Sequence, residues 1–221
     1  MKLSRDEARD LDVLEQTIVE VGSYLAGRDY HAALAGNISA RISENTLVCT
    51  RHGANKGALT PGDLVVCDLD GNKLGGEGGP TSELNMHCTA YRVRQDVRAV
   101  VHAHPPTATC FAATSTPLDK LMLPEMVVLL GPVALVPYAT PGSKQLGEEL
   151  SRYLPAHDAF LLENHGALTA GDTLWQAAYR MELLEHNARI TWMALPLGRP
   201  FALNPEGLEA LLDIRKRIRF P

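Results

Sequence analysis

Two histidines one residue apart, His102 and His104, come at the end of the run from Val97 to His102, apolar but for Arg98. That run predicts a buried strand broken by Pro105-Pro106. A two-residue step along a strand returns side chains to one face, so both imidazoles can reach a single ion. A second apolar run, Ala159-Phe160-Leu161-Leu162, ends at Glu163-Asn164-His165-Gly166. If folding brings the two strand ends together, His102, His104 and His165 supply three neutral nitrogen donors and leave a fourth position open, the pattern of a catalytic metal site. A lone His-x-His pair is commonly just two polar residues at a strand end. Two histidine-ended strands opening into loops at sheet ends are where α/β proteins place ligands.

Glu83 is the candidate proton carrier, because a carboxylate beside a metal can ligate it at rest and act as a general base once substrate displaces it. It follows Thr81-Ser82, which can cap a helix running to about Tyr91, so Glu83 falls in a first helical turn. A glutamate there ordinarily complements the helix dipole, and position alone leaves both roles open. Gly36-Asn37, the loop from Thr50 to Gly57, and Thr81-Ser82 offer backbone amides and hydroxyls of the kind that cradle phosphate. Each segment alone reads as a turn, so the phosphate reading rests on all three converging.

The elements that must position these groups are legible as periodicity. Ala8, Leu11, Leu14, Ile18, Val21 and Leu25 form an apolar stripe that predicts an opening helix over Arg5 to Gly27. Short β-type runs follow at Ile38 to Ile42, Thr46 to Thr50 and Leu64 to Asp68, and Gly75 to Pro80 reads as a flexible lead-in to the Glu83 helix. Further helices are predicted near Ala108 to Ala113, from Asp172 or Thr173 to about Leu195, and over Pro205 to Ile218. No repeat or linker divides the chain, so residues 1–221 are expected to form one domain.

The 221 residues, 45% of them apolar, suffice for a substantial core. A net charge of -5 argues against nucleic acid or an anionic membrane as partner. The closing Arg215, Lys216, Arg217, Arg219 cluster reads as a solvated or subunit-contacting helix end. With no apolar leader run and no membrane-length span, the expected location is cytoplasmic. Cys49, Cys67, Cys88 and Cys110 lack C-x-x-C spacing and are expected to be reduced, mostly buried thiols.

Taken in order, Asn37-Ile38-Ser39-Ala40-Arg41 after a glycine, Lys56-Gly57-Ala58-Leu59-Thr60-Pro61, Thr81-Ser82-Glu83, Val101-His102-Ala103-His104 and Asn164-His165-Gly166-Ala167 resemble the class II aldolase/adducin family. Within it the pattern is most similar to the L-fuculose-1-phosphate aldolase group. The resemblance covers nearly the whole chain. It implies a three-layer α/β/α sandwich around a mixed, largely antiparallel sheet, and a homotetramer with sites near subunit interfaces. It also implies one Zn2+ per subunit, replaceable by Mn2+ or Co2+, on the residues matching His102, His104 and His165. Glu83 matches the acid/base and a resting ligand, and the phosphate pocket carries over onto Gly36, Asn37, Gly53, Thr81 and Ser82. The implied reaction is cleavage of a phosphorylated ketose to dihydroxyacetone phosphate and an aldehyde through a metal-stabilised enediolate. Sugar-phosphate epimerases, dehydratases and decarboxylases share the scaffold, and an adducin-like, non-catalytic interaction domain is the reading from another class.

Two positions depart from the fuculose-phosphate pattern. His52 precedes Gly53 where that group carries a small hydroxyl residue, so His52 reads either as a contact for a carboxylate or a differently placed phosphate, or as an exposed loop residue. The group's proton-donating tyrosine should fall near Pro124-Glu125-Met126, where there is none. Glu125 could take its function, or Tyr138 could approach from its apolar surroundings, where it otherwise reads as core.

Overall fold

The N-terminal stripe forms helix α1, Arg5–Ala26, in a computed structural model that describes residues 5–119, 123–198 and 203–217. Ile18, Val21 and Leu25 of that stripe are fully buried. Strands β1 (Asn37–Arg41), β2 (Thr46–Thr50), β3 (Leu64–Asp68) and β4 (Lys73–Gly76) follow, then helix α2 (Leu84–Val93), β5 (Ala99–Ala103) and α3 (Pro106–Ala113). The second half adds β6 (Val133–Val136), α4 (Lys144–Ser151), β7 (Ala159–Leu162), β8 (Gly166–Gly171), α5 (Leu174–Ala194) and α6 (Pro205–Arg215).

The strands join in one sheet of order β4-β3-β2-β1-β5-β8-β7-β6, in which only β6 and β7 run parallel. Alternation along β5 shows how the layers form. Ala99, Val101 and Ala103 pack into a core with α1, α3 and α5, while Val100 packs on the opposite face with α2 and α4. Helices on both faces make the expected α/β/α sandwich, and they explain why β1, β2, β5, β7 and β8 are buried at every residue.

Several expectations need correction. Helix α2 starts at Leu84 with Glu83 as its cap residue, so Glu83 precedes the first turn. Lys73–Gly76, whose glycines suggested flexible lead-in, pairs with β3 as an edge strand. Strands β6 and β8, helix α4 and a π-helical turn at Met126–Leu130 were not anticipated. The last helix ends at Arg215, and Ile218 and Arg219 lie outside the described residues. Of the closing basic cluster, Lys216 and Arg217 are exposed as expected, whereas the half-buried Arg215 guanidinium meets Asp158 at 3.0 Å and donates to the carbonyls of Val127 and Val128. Tyr138 is 52% exposed, so it is not core. Cys49, Cys67 and Cys88 are buried free thiols, whereas Cys110 is exposed. Among the described residues no helix is long and apolar enough to cross a membrane.

Candidate active site

Strand pairing brings the candidates together. Asn37 of β1 lies directly across from His102 of β5, and Ala103 lies across from Ala167 of β8. His102 shares the face of Val100, turned toward α2, and His104 follows two residues on, just past the strand end. The hairpin between β7 and β8 reverses over Glu163, Asn164 and His165, with Asn164 at φ 54, and carries His165 to the same sheet end. The three rings have centroids 4.6 to 5.3 Å apart.

Their donor atoms lie within 4.8 Å of one another, close enough to share one ion. Glu83 completes the set, with Oε2 3.2 Å from His102 Nε2 and Oε1 3.1 Å from His165 Nε2. Glu83 is 7% exposed and its Oε1 makes no hydrogen bond. His102 donates Nδ1–H to the Ala167 carbonyl at 2.8 Å, which leaves its Nε2 lone pair facing the other ligands. A buried carboxylate oxygen without a donor and a histidine tautomer fixed from behind both fit a bound divalent cation.

The electrostatics agree with that fit. Burial alone would push the Glu83 carboxyl up, but His102 and His165 beside it outweigh burial and hold it well below the usual carboxylate range. His104 is pushed down to about 3 by burial, with His102 and His165 adding, so it stays a neutral donor. His31, buried against Gly36, is likewise pushed down to about 3, first by burial and then by Lys56.

In front of the set opens a cleft of about 310 Å³. All five residues expected to hold phosphate line it: Gly36, Asn37, Gly53, Thr81 and Ser82. Asn37 does more than line it, since its Nδ2 donates to Glu83 Oε2 at 2.8 Å. Thr81 accepts the backbone N–H of Glu83 at 3.3 Å, tying the cleft wall to the carboxylate. His52 is exposed and on the rim. Glu125 is exposed at the start of the π-helical turn, and neither it nor Tyr138 lines the cleft.

Sequence reasoning passed over Lys56, quoted above only as part of a motif. It lines the cleft yet is 2% exposed, and its Nζ donates to the carbonyls of Ala54, at 2.6 Å, and Leu34. Burial lowers its ammonium to about 8, with the charge of Glu83 opposing. A lysine between glycine and polar residues reads as exposed, so nothing local marked it. His87 was also missed, although its spacing four residues after Glu83 places both on one helix face. A larger cleft, about 630 Å³, shares no lining residue with this one, and its Glu182 and Glu185 are already paired with Arg28 and with backbone amides of α3.

Comparison with known proteins gives this geometry a context. Residues 16–192 match the class II aldolase and adducin N-terminal domain. An L-fuculose phosphate aldolase of Methanococcus maripaludis is 35% identical over 175 residues, 79% of this chain and 94% of that protein. A 3-oxo-tetronate 4-phosphate decarboxylase of Haemophilus influenzae is 34% identical over 184 residues, 80% of this chain and 85% of that protein. Among solved structures, an L-fuculose 1-phosphate aldolase superposes with a TM-score of 0.85 at 30% identity, covering 92% of this chain and 96% of that one.

Proposed function

The chain belongs to the class II aldolase and adducin family, and from that membership we propose that it is a zinc-dependent aldehyde-lyase. Its proposed substrate is a phosphorylated ketose of the L-fuculose-1-phosphate type, cleaved to dihydroxyacetone phosphate and an aldehyde. The observation that carries the reading is the convergence of Glu83 with His102, His104 and His165 at the floor of a cleft. A non-catalytic interaction domain has no use for this buried ligand set.

His102, His104 and His165 would hold the cation, with Glu83 as a fourth, displaceable ligand. When bound, the cation supplies a sink for the negative charge that develops beside the ketose carbonyl as the carbon–carbon bond breaks. Glu83, ionised at rest, takes the hydroxyl proton of the departing fragment as its aldehyde forms and then delivers that proton to the carbon left behind. Lys56, Gly36, Gly53, Thr81 and Ser82 hold the phosphate, so the reacting carbons stay in register with Glu83. Taking the cation as +2 and the histidines as neutral, Lys56 and Glu83 cancel and the cleft stays positive, which favours a dianionic substrate. Sites near subunit interfaces in a homotetramer remain part of the proposal.

A second reading, decarboxylation of a phosphorylated 3-oxo acid, is favoured by His52 standing where the aldolase pattern has a small hydroxyl residue, since a ring N–H there can donate to a carboxylate. One assay separates the two. Purified protein is analysed for metal, then supplied with ketose 1-phosphates and with 3-oxo-tetronate 4-phosphate, with and without chelator. Chelator-sensitive release of dihydroxyacetone phosphate supports the aldolase, and release of CO2 the decarboxylase. Glu83→Gln is expected to cost about 10²–10⁴-fold in turnover. Full activity in that variant removes Glu83 from the acid/base role.

A further inference from the structure

Behind Glu83 two rows of polar side chains interlock in an interface that is otherwise core. On α2 and its cap, Glu83, His87 and Tyr91 recur every four residues; on β1, Asn37, Ser39 and Arg41 recur every two. Four helical residues advance ~6.0 Å and two strand residues ~6.6 Å, so the rows stay in step. Asn37 bridges Glu83 and His87, at 2.8 and 2.5 Å, and Ser39 bridges His87 and Tyr91, at 2.7 Å each. Beyond them the Arg41 guanidinium lies 4.9 Å from the Tyr91 ring centroid and donates to the carbonyls of Glu44, Val97 and Tyr91. That anchors the far end of the row to backbone.

The protons in this chain can run in one direction. An ionised Glu83 only accepts, so Asn37 turns its Nδ2 to it and its Oδ1 to His87. His87 must then donate from Nε2, which leaves Nδ1 to accept from the Ser39 hydroxyl, and Ser39 in turn accepts from Tyr91. His87, Ser39 and Tyr91 are fully buried. An apolar trio of the same volume would avoid the desolvation cost of burying them.

We propose that His87 is a positioning residue for Glu83: through Asn37 it fixes Oε2 against His102 and leaves Oε1 as the oxygen that carries the proton. The inference rests on the metal-lyase reading of Glu83. Each oxygen faces one histidine, Oε2 His102 at 3.2 Å and Oε1 His165 at 3.1 Å, but only Oε2 also receives Asn37, at 2.8 Å, and is held from behind. Outer partners of this kind decide how well a ligand is presented, and removing them typically weakens metal binding about 10–100-fold.

The test uses wild type, His87→Leu, His87→Gln and Ser39→Ala, with Co2+ affinity measured by chelator competition and folding checked by circular dichroism. His87→Leu is expected to bind about 10–100-fold more weakly, and His87→Gln, which keeps a donor toward Asn37, to recover to within about threefold of wild type. Should His87→Leu fail to fold, Ser39→Ala breaks the same chain one link further on and is expected to weaken binding in the same direction. In parallel, nitrogen-15 NMR of the metal-free protein is expected to show a neutral His87 ring protonated at Nε2. Unchanged affinity in a folded His87→Leu or Ser39→Ala, or a ring protonated at Nδ1, overturns the proposal. A wild type that binds no Co2+ sinks the lyase reading instead, and the ring tautomer then decides this one.

Discussion

His102 Nδ1 and the Ala167 carbonyl, 2.8 Å apart across two neighbouring strands, join metal binding to the sheet itself. The same ring is a ligand candidate in front and a strand-to-strand tie behind. His104, past the strand end, has no such second duty. His104→Ala should therefore leave the melting temperature of the metal-free protein nearly unchanged while lowering metal affinity by more than about 100-fold, beyond the cost of losing an outer partner. His102→Ala should do both, since it also removes a buried side-chain hydrogen bond between the two strands, worth about 0.5–1.5 kcal/mol. Metal titration and thermal melts of the two metal-free variants check the difference; equal melting losses would contradict it.

Gly166 tests how closely the hairpin must approach His104. A Cβ there would stand 2.4 Å from His104 Cδ2 and 2.9 Å from the Ala103 carbonyl. The ring or the hairpin must move, and either motion separates His104 from His165. Gly166→Ala is expected to fold, because the tightest clash falls on the His104 ring and the other only at the ends of β5 and β8, yet to bind metal at least about tenfold more weakly. Wild-type affinity in Gly166→Ala would mean that the ligands are not held by this contact.

The sequence made the ligand set legible because strands advertise themselves. Ala99 to Val101 and Ala159 to Leu162 are apolar on both faces, so a histidine at or just past the end of each stands out. Their meeting is a tertiary event, set by β8 pairing with both β5 and β7. Strand β8 itself, Gly166–Gly171, went unseen because its Gly-Ala-Leu-Thr-Ala-Gly composition has weak strand propensity and is held by its two neighbours. Lys56 was hidden for another reason: burial of a lysine depends on which carbonyls fold over it, here those of Leu34 and Ala54, and no local pattern encodes that. Arg215 was misread likewise, because Asp158, which pairs with it, is 57 positions away.

Acid should unfold the metal-free protein early. Burial pushes His31, His87 and His104 each down to about 3, against roughly 6.5 in an unfolded chain. Between those values the unfolded state binds more protons than the native state, so stability falls as pH drops from about 6.5 toward 3. Glu83 acts with the same sign lower down: its carboxyl is held below the usual range, so its contribution is complete above about pH 4.5 and lost beneath it. His87→Gln should remove one of these protons and flatten the slope by about 1.4 kcal/mol per pH unit between pH 6 and 4. Denaturant titrations in chelator at several pH values measure it, and an unaltered slope would place the uptake elsewhere.

Lys56 gives the cleft its own pH dependence, with the opposite sense. Its polar contacts among the described residues are two carbonyls, leaving one N–H of the ammonium free for a ligand. Burial lowers it to about 8, so it is a cation below that pH and loses its charge above. Because the folded value lies below the unfolded one, near 10.5, the charged form weakens the empty fold below pH 8, and stability recovers between about 8 and 10.5. A bound anion reverses the balance by pairing with the cation. Inorganic phosphate, already largely a dianion by pH 8, should therefore bind metal-free protein with a dissociation constant that rises up to about tenfold per pH unit above 8. Lys56→Met should bind phosphate about 10–100-fold more weakly at pH 7 and show little change from pH 7 to 9. Calorimetry at pH 7, 8 and 9 reads both. A wild-type profile as flat as that of the variant would show that Lys56 only pins the loops at Leu34 and Ala54 and that the anion is held by the amides and hydroxyls alone.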